Sequence, residues 1–226
     1  MNRLRIFGPP LAMAALIVVA LITLAVVRSC APAPAAAGAR GEPRAADAGP
    51  SHAAALPSLD PRPAPEWGER PWLHTAPLSW SALRGHPVLV RFWTDGCPYC
   101  ARTAPALSAL ERRYGPRGLV VIGVYHPKPR RAVTVEEVER YASALSMSFP
   151  VTIDADWSLL RRYWLDHVDS EWTSVSFLMD GEGIIRHVHP GGEFHSGGGP
   201  EHAACNESFE EMERRIEALL AAPPES

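Results

Sequence analysis

Val88-Leu89-Val90-Arg91-Phe92-Trp93-Thr94-Asp95-Gly96-Cys97-Pro98-Tyr99-Cys100 is the stretch on which the reading of this chain turns. Its first six residues are apolar apart from Arg91, the composition of a strand buried on both faces. Two cysteines follow in C-x-x-C spacing. From Tyr99 to Tyr114, the residues Ala101, Ala104, Leu107, Leu110 and Tyr114 recur at three- and four-residue intervals, which predicts a helix closed by Gly115-Pro116. Cys97 therefore falls at the N-cap, where unpaired N–H groups and the helix dipole favour negative charge and lower a thiol pKa. Pro98 suits the first helical position, because the N–H it lacks would be unpaired there. Cys100, one turn further in, is the expected resolving thiol. A reachable thiolate with a second thiol one turn away is what dithiol-disulfide exchange requires.

Reading toward the C-terminus, Leu119 to Tyr125 is a second apolar run and a parallel partner for the first strand. Thr134 and Glu137 form a capping box that opens a helix to about Met147. Phe149 to Ile153 reads as a third strand and Asp156 to Leu165 as a short helix. Val175–Met179 and Ile184–Val188 flank Asp180-Gly181-Glu182-Gly183, a hairpin signal. A last helix over Glu207 to Leu220 carries Phe209, Met212, Ile216, Leu219 and Leu220 on one face. Three parallel strands, an antiparallel hairpin and a closing helix make an α/β fold, a mixed central sheet with helices on both faces.

Reading toward the N-terminus, Arg3 and Arg5 precede an uncharged run from Leu11 to Val27, and Arg28 follows. From Ile6 this run spans roughly 22 residues, near the ~20 of a membrane-spanning helix and longer than a signal-peptide core. Residues 1–30 are expected to be a short cytoplasmic tail and one transmembrane anchor. The charge bias keeps the tail inside and places the rest on the extracytoplasmic, periplasmic side of the cytoplasmic membrane. Val27-Arg28-Ser29-Cys30 loosely resembles a lipoprotein cleavage site, with Arg28 where a small or apolar residue is wanted. Residues 31–66, dominated by Ala, Pro and Gly, read as a disordered spacer, and residues 67–222, beginning at Trp67, as the folded domain. Of 226 residues 46% are hydrophobic and 21% charged, which is globular composition, and a net charge of -3 excludes a general nucleic-acid surface.

Other chemistries fit the cysteines less well. Half a zinc site lacks a second C-x-x-C or H-x-x-x-H pair. A structural disulfide would close a very small loop and stabilise little. A thiol peroxidase places threonine three residues before its cysteine, as Thr94 stands here, but Val90 replaces the proline expected earlier. Late in the chain His187, His189, His195, His202 and Cys205 gather among glycines. Imidazole and thiol in that number can hold copper or zinc, alone or with the dithiol as a metal-delivery module; the alternative is a solvated glycine-rich loop. His126 follows the second parallel strand at the end where α/β sites form.

Taken together, Leu78 to Val90, Phe92 to Cys100, Pro105 and Phe177 to Ile185 resemble the thioredoxin superfamily, and within it the membrane-anchored TlpA-like and ResA-like thiol-disulfide oxidoreductases. The resemblance implies a thioredoxin-like fold and an enzyme acting on protein thiols and disulfides. It also implies an upstream membrane electron donor and no cofactor. Cys97 and Cys100 would be catalytic, with Trp93, Pro98, Tyr99, Pro105, Thr173 and Ser174 in support. The Leu78–Val90 segment is expected as a hairpin leading to the central strand, and Pro98-Tyr99 is similar to the glutaredoxin dipeptide. Two positions depart from the pattern. Ser174 stands where the family has a cis-proline, and a bond to serine is expected trans. Arg91 stands where the thioredoxin branch buries an acid, which leaves no proton acceptor assigned beneath Cys100; Glu111 lies too far along the helix.

Overall fold

A computed structural model describes residues 61–222. Seven strands form one sheet. In chain order they are β1 (Arg62–Pro63), β2 (Trp72–Leu73), β3 (Val88–Trp93), β4 (Val120–Tyr125), β5 (Val151–Ile153), β6 (Ser176–Met179) and β7 (Ile184–His189), arranged β1-β7-β6-β3-β4-β5-β2. As expected, β3, β4 and β5 are parallel and β6 and β7 form an antiparallel hairpin. All six residues of β3 are buried, and alternate ones feed separate cores. Leu89 and Trp93 pack with α2 (Pro98–Tyr114), α3 (Val135–Ala144) and the late helix Ala203–Ala221. Val88, Val90 and Phe92 pack on the other face with Tyr163, Trp164 and Trp67.

The local signals act as their chemistry requires. Thr134 Oγ1 accepts from Glu137 N at 3.2 Å, while Glu137 Oε2 accepts from Thr134 N at 2.9 Å, completing the capping box. At the hairpin, Asp180 Oδ1 accepts from the N–H groups of Glu182 and Ile184, both at 2.9 Å, and Gly183 takes φ +81°.

Several expectations need correction. The spacer does not extend to residue 66. Arg62–Pro63 pairs with Ile185 and Ile184 of β7, Ala64 N donates to Gly183 O, and Trp67 is fully buried against Trp80 and Tyr163. The segment before β3 is no hairpin: Ser79 caps a one-turn helix, α1 (Trp80–Leu83), by accepting from Ala82 N. β5 starts at Val151 because Pro150 has no N–H to donate to the ladder. The helix expected from Asp156 begins at Ser158, since Trp157 sits at φ +65°. Its Ser158 N–H donates to Asp156 Oδ1, and the N–H groups of Leu159 and Leu160 donate to the buried carboxylate of Asp154. Only Ser158–Leu160 (α4) is α-helical, and Arg161–Leu165 widens into a π turn. The last helix, α5 (Ala203–Ala221), begins four residues earlier than expected. Among the described residues no helix is long and apolar enough to cross a membrane. The expected anchor, Cys30 and most of the spacer lie outside the described residues.

Gly123 in β4 stands where the core leaves no room for a side chain. A Cβ there would lie 2.9 Å from Trp93 Nε1 and 3.2 Å from Val151 Cγ2. Gly123→Ala is expected to destabilise the protein by about 1–3 kcal/mol through overpacking. In urea the unfolding midpoint should fall with the slope unchanged.

Candidate active site

β3 ends at Trp93, a turn with Gly96 at φ +66° reverses the chain, and α2 starts beneath the sulfurs. Cys97 is the N-cap, in extended conformation, and its Sγ accepts the Cys100 N–H at 3.2 Å. Pro98 occupies the first turn as expected. The Cys100 thiol donates to Cys97 Sγ at 2.6 Å. Cys97 is half-buried and Cys100 is 2% exposed, so one sulfur faces solvent and the other does not.

This asymmetry sets the protonation of the pair. The Cys100 thiol hydrogen bond, the Ser174 hydroxyl, the Cys100 N–H and the Arg91 charge together outweigh burial and lower the Cys97 pKa to about 5. The same thiol–thiolate hydrogen bond and its own burial push the Cys100 pKa far up, against the pull of Arg91. Near neutral pH the pair is one thiolate and one thiol.

Two residues complete the arrangement. Ser174 Oγ lies 3.5 Å from Cys97 Sγ and 3.1 Å from Cys100 Sγ, touching both. The peptide bond before it is trans, the one cis bond among the described residues being Lys128–Pro129. Arg91 is 1% exposed and shares the α2-facing side of β3 with Leu89 and Trp93. Its Nη1 donates to Ser176 Oγ at 3.1 Å, its Nη2 donates to Gly192 O at 2.8 Å, and its guanidinium lies over Phe194. Burial lowers its pKa, and the two cysteines oppose that shift. A guanidinium stays protonated in proteins, so a fixed positive charge lies where the family places an acid.

The other expected residues are spread more widely. Trp93 is wholly buried, edge-on to Tyr125. Tyr99 is exposed, edge-on to Trp172 at 5.5 Å and under the Arg102 guanidinium. A cleft of about 320 Å³ beside Cys97 is lined by Thr94, Asp95, Tyr99, Lys128, Trp172 and Thr173, among others. Pro105 lies two turns along α2, exposed and away from the sulfurs. Thr94 donates to Asp95 Oδ1 at 3.3 Å and not to Cys97, contrary to the peroxidase arrangement. His126 is buried edge-on to Trp157, and burial pushes its pKa down to about 3, so it is neutral. Of the late cluster, His195, His202 and Cys205 come together with Glu193. His187 and His189 stay outside that cluster: burial lowers the pKa of His187 to about 4, and His189 packs on Phe194. Cys205 is a free thiol, not bonded to Cys97 or Cys100. The sequence pointed to Arg91 only as a missing acid; a charge inside an otherwise apolar strand was the available signal. Lys128, Trp172 and Glu193 carried none.

The fold and this geometry can be set beside known proteins. A family model described as the AhpC/TSA family matches residues 62–188. The chain is similar to Protein DipZ of Mycobacterium bovis, 32% identical over 124 residues, which cover 52% of this chain and 16% of DipZ. It is similar to thiol-disulfide oxidoreductase ResA of Halalkalibacterium halodurans, 28% identical over 110 residues, covering 49% of this chain and 57% of ResA. The matches thus span about a sixth of the one relative and just over half of the other. A putative thiol:disulfide interchange protein DsbE from Chlorobium tepidum superposes with a TM-score of 0.55 at 20% identity, covering 71% of this chain and 97% of that one. A thiol-disulfide isomerase from Corynebacterium glutamicum gives 0.55 at 22% identity, covering 71% and 98%. The fold is the thioredoxin-like one that the resemblance implied.

With the Cys97 pKa near 5, iodoacetamide alkylation of the reduced protein should rise through about pH 5 and be flat by neutrality. Cys205, whose pKa is raised by burial and by Glu193, should gain reactivity only in alkali. Ser174→Ala removes a hydrogen bond to the thiolate and is expected to move the Cys97 midpoint upward by on the order of one pH unit. Mass spectrometry of the labelled peptides reads both.

Proposed function

The chain belongs to the AhpC/TSA family, and from the geometry of its dithiol we propose that it is a thiol-disulfide oxidoreductase working through Cys97 and Cys100 on extracytoplasmic protein substrates. The observation that carries this reading is the half-buried Cys97 sulfur at a helix N-cap, held by the Cys100 thiol at 2.6 Å and the Cys100 N–H at 3.2 Å. The Cys97 thiolate attacks one sulfur of a substrate disulfide. The new S–S bond joins Cys97 to the substrate, and the departing substrate sulfur leaves as a thiolate and takes a proton from water. Cys100 then gives its proton to water and attacks Cys97 Sγ, breaking the bond between Cys97 and the substrate. A Cys97–Cys100 disulfide forms and the second substrate thiol is released. Two electrons from an upstream membrane donor restore the dithiol, and running the steps in reverse oxidises substrates instead.

Arg91 takes part through charge. The groups that act on Cys100 among the described residues are Cys97, Ser174 and Arg91 and include no carboxylate to accept its proton, but the guanidinium stabilises the thiolate left when that proton goes. The same charge favours the reduced pair, supporting a potential on the oxidising side of the roughly -270 mV of thioredoxin. Ser174 Oγ, in reach of both sulfurs, can follow the charge from one to the other. The exposed Tyr99 and the neighbouring Trp172 form an apolar rim that suits an unfolded or extended substrate segment. Residues 1–30 are proposed to hold the protein in the cytoplasmic membrane with the dithiol outside; a membrane-impermeant maleimide should then label Cys97 in intact cells after reduction.

Insulin reduction tests the activity. Cys97→Ser is expected to abolish turnover, and Cys100→Ser should trap a mixed disulfide with substrate, visible on a non-reducing gel. Unimpaired turnover by Cys97→Ser defeats the reading. Arg91→Leu should make the pair more reducing, by about 30 mV for each pKa unit of thiolate stabilisation lost, as read by a glutathione redox titration.

A further inference from the structure

The loop after β7 is glycine-rich but firmly held. Gly192 O accepts from the buried Arg91, Phe194 is fully buried with its N–H on Thr103 Oγ1, and His195 N donates to Cys205 O. These ties bring Glu193 and His195 to the start of α5, where His202 and Cys205, three residues apart, present their side chains to the same region. One Glu193 oxygen, Oε2, is bound by Arg102 of α2. The other, Oε1, lies 3.7 Å from Cys205 Sγ, 4.0 Å from His195 Nε2 and 4.0 Å from His202 Nδ1.

We propose that Glu193, His195, His202 and Cys205 form a mononuclear binding site for a borderline transition-metal cation, zinc(II) above all, separate from the dithiol. One ligand atom from each of the four residues lies within 4.8 Å of the others. Around tetrahedral zinc, ligands at roughly 2.0–2.3 Å stand about 3.3–3.8 Å apart, so the widest pair needs to close by about 1 Å, within reach of side-chain rotation. His195 Nε2 is buried with no hydrogen-bond partner, an arrangement that a metal bond would satisfy. Two imidazoles, a thiolate and a carboxylate suit zinc and its neighbours, while the sulfur disfavours magnesium and calcium. Binding releases the Cys205 proton to solvent, and the two ligand charges neutralise the cation. Arg102, on the second Glu193 oxygen, orients the carboxylate from outside as outer-shell groups do. It also ties the site to α2, two residues beyond Cys100.

The test uses the full-length chain carrying Cys97→Ser and Cys100→Ser, which removes the dithiol as a competing ligand. Titration with zinc chloride should show one equivalent bound, and titration with cobalt(II) chloride should give the thiolate charge-transfer and intense d–d bands of a tetrahedral site. Adding Cys205→Ser should abolish the charge-transfer band. His195→Ala and His202→Ala, each checked for folding by circular dichroism, should weaken zinc binding by more than the roughly 10–100-fold that outer-shell changes cause. No zinc bound by the Cys97→Ser/Cys100→Ser chain overturns the proposal. So does a charge-transfer band that survives Cys205→Ser, which would assign it to Cys30, or affinity unchanged in both folded histidine variants.

Discussion

A positive charge with no access to water lies at the centre of this protein, and the elements around the dithiol are disposed to tolerate it. An unpaired ion in a protein interior costs several kcal/mol. The Arg91 guanidinium is compensated from four directions: Ser176 on the neighbouring strand, Gly192 on the loop after the hairpin, the face of Phe194, and the sulfurs of the active-site pair. These partners come from three parts of the chain: β6, the loop after β7 that carries both Gly192 and Phe194, and the active-site pair at the start of α2. The compensation therefore holds only when strand, loop and helix are assembled together, and the thiolate is one of its members. Folding and the reactivity of Cys97 thus share a cause.

Replacing proline by serine opposite the cysteines changes the character of the site. The serine bond is trans and its hydroxyl reaches both sulfurs, so a polar group that can donate or accept stands beside the attacking and resolving atoms. The acid found in the thioredoxin branch serves to take a proton; here a fixed cation and a movable hydroxyl stand in that region instead. Proton movement between Cys100 and water then depends on electrostatic help rather than on a dedicated base. His126, buried edge-on to Trp157 and kept neutral by that burial, offers no charged alternative.

Much of the frame was legible because its signals are local. The apolar run of β3, the cap and proline that start α2, the Thr134–Glu137 box and the Asp180–Gly183 turn each act within a few residues, and each stands as expected. What escaped depends on partners distant in sequence. Arg62–Pro63 is a strand only because β7 lies beside it, and Val151 rather than Phe149 begins β5 because of one missing N–H. The Ser174 hydroxyl approaches the sulfurs across 77 residues, a contact no periodicity records. Four of the five late metal candidates were two pairs that only the fold could separate. His195 and His202 join Cys205 around Glu193, whereas His187 and His189 remain on the strand.

Both margins of the seven-stranded sheet are finished by strands of two residues, and one of the four residues involved is Pro63. Border strands this short, one of them lacking a donor, themselves offer another chain few free amides and carbonyls on which to align. Along those two border strands the protein is poorly suited to pair with another copy of itself. It is equally ill-suited to capture stretched peptides along those two strands, which leaves the sulfur and its aromatic rim as the place where a partner would meet it.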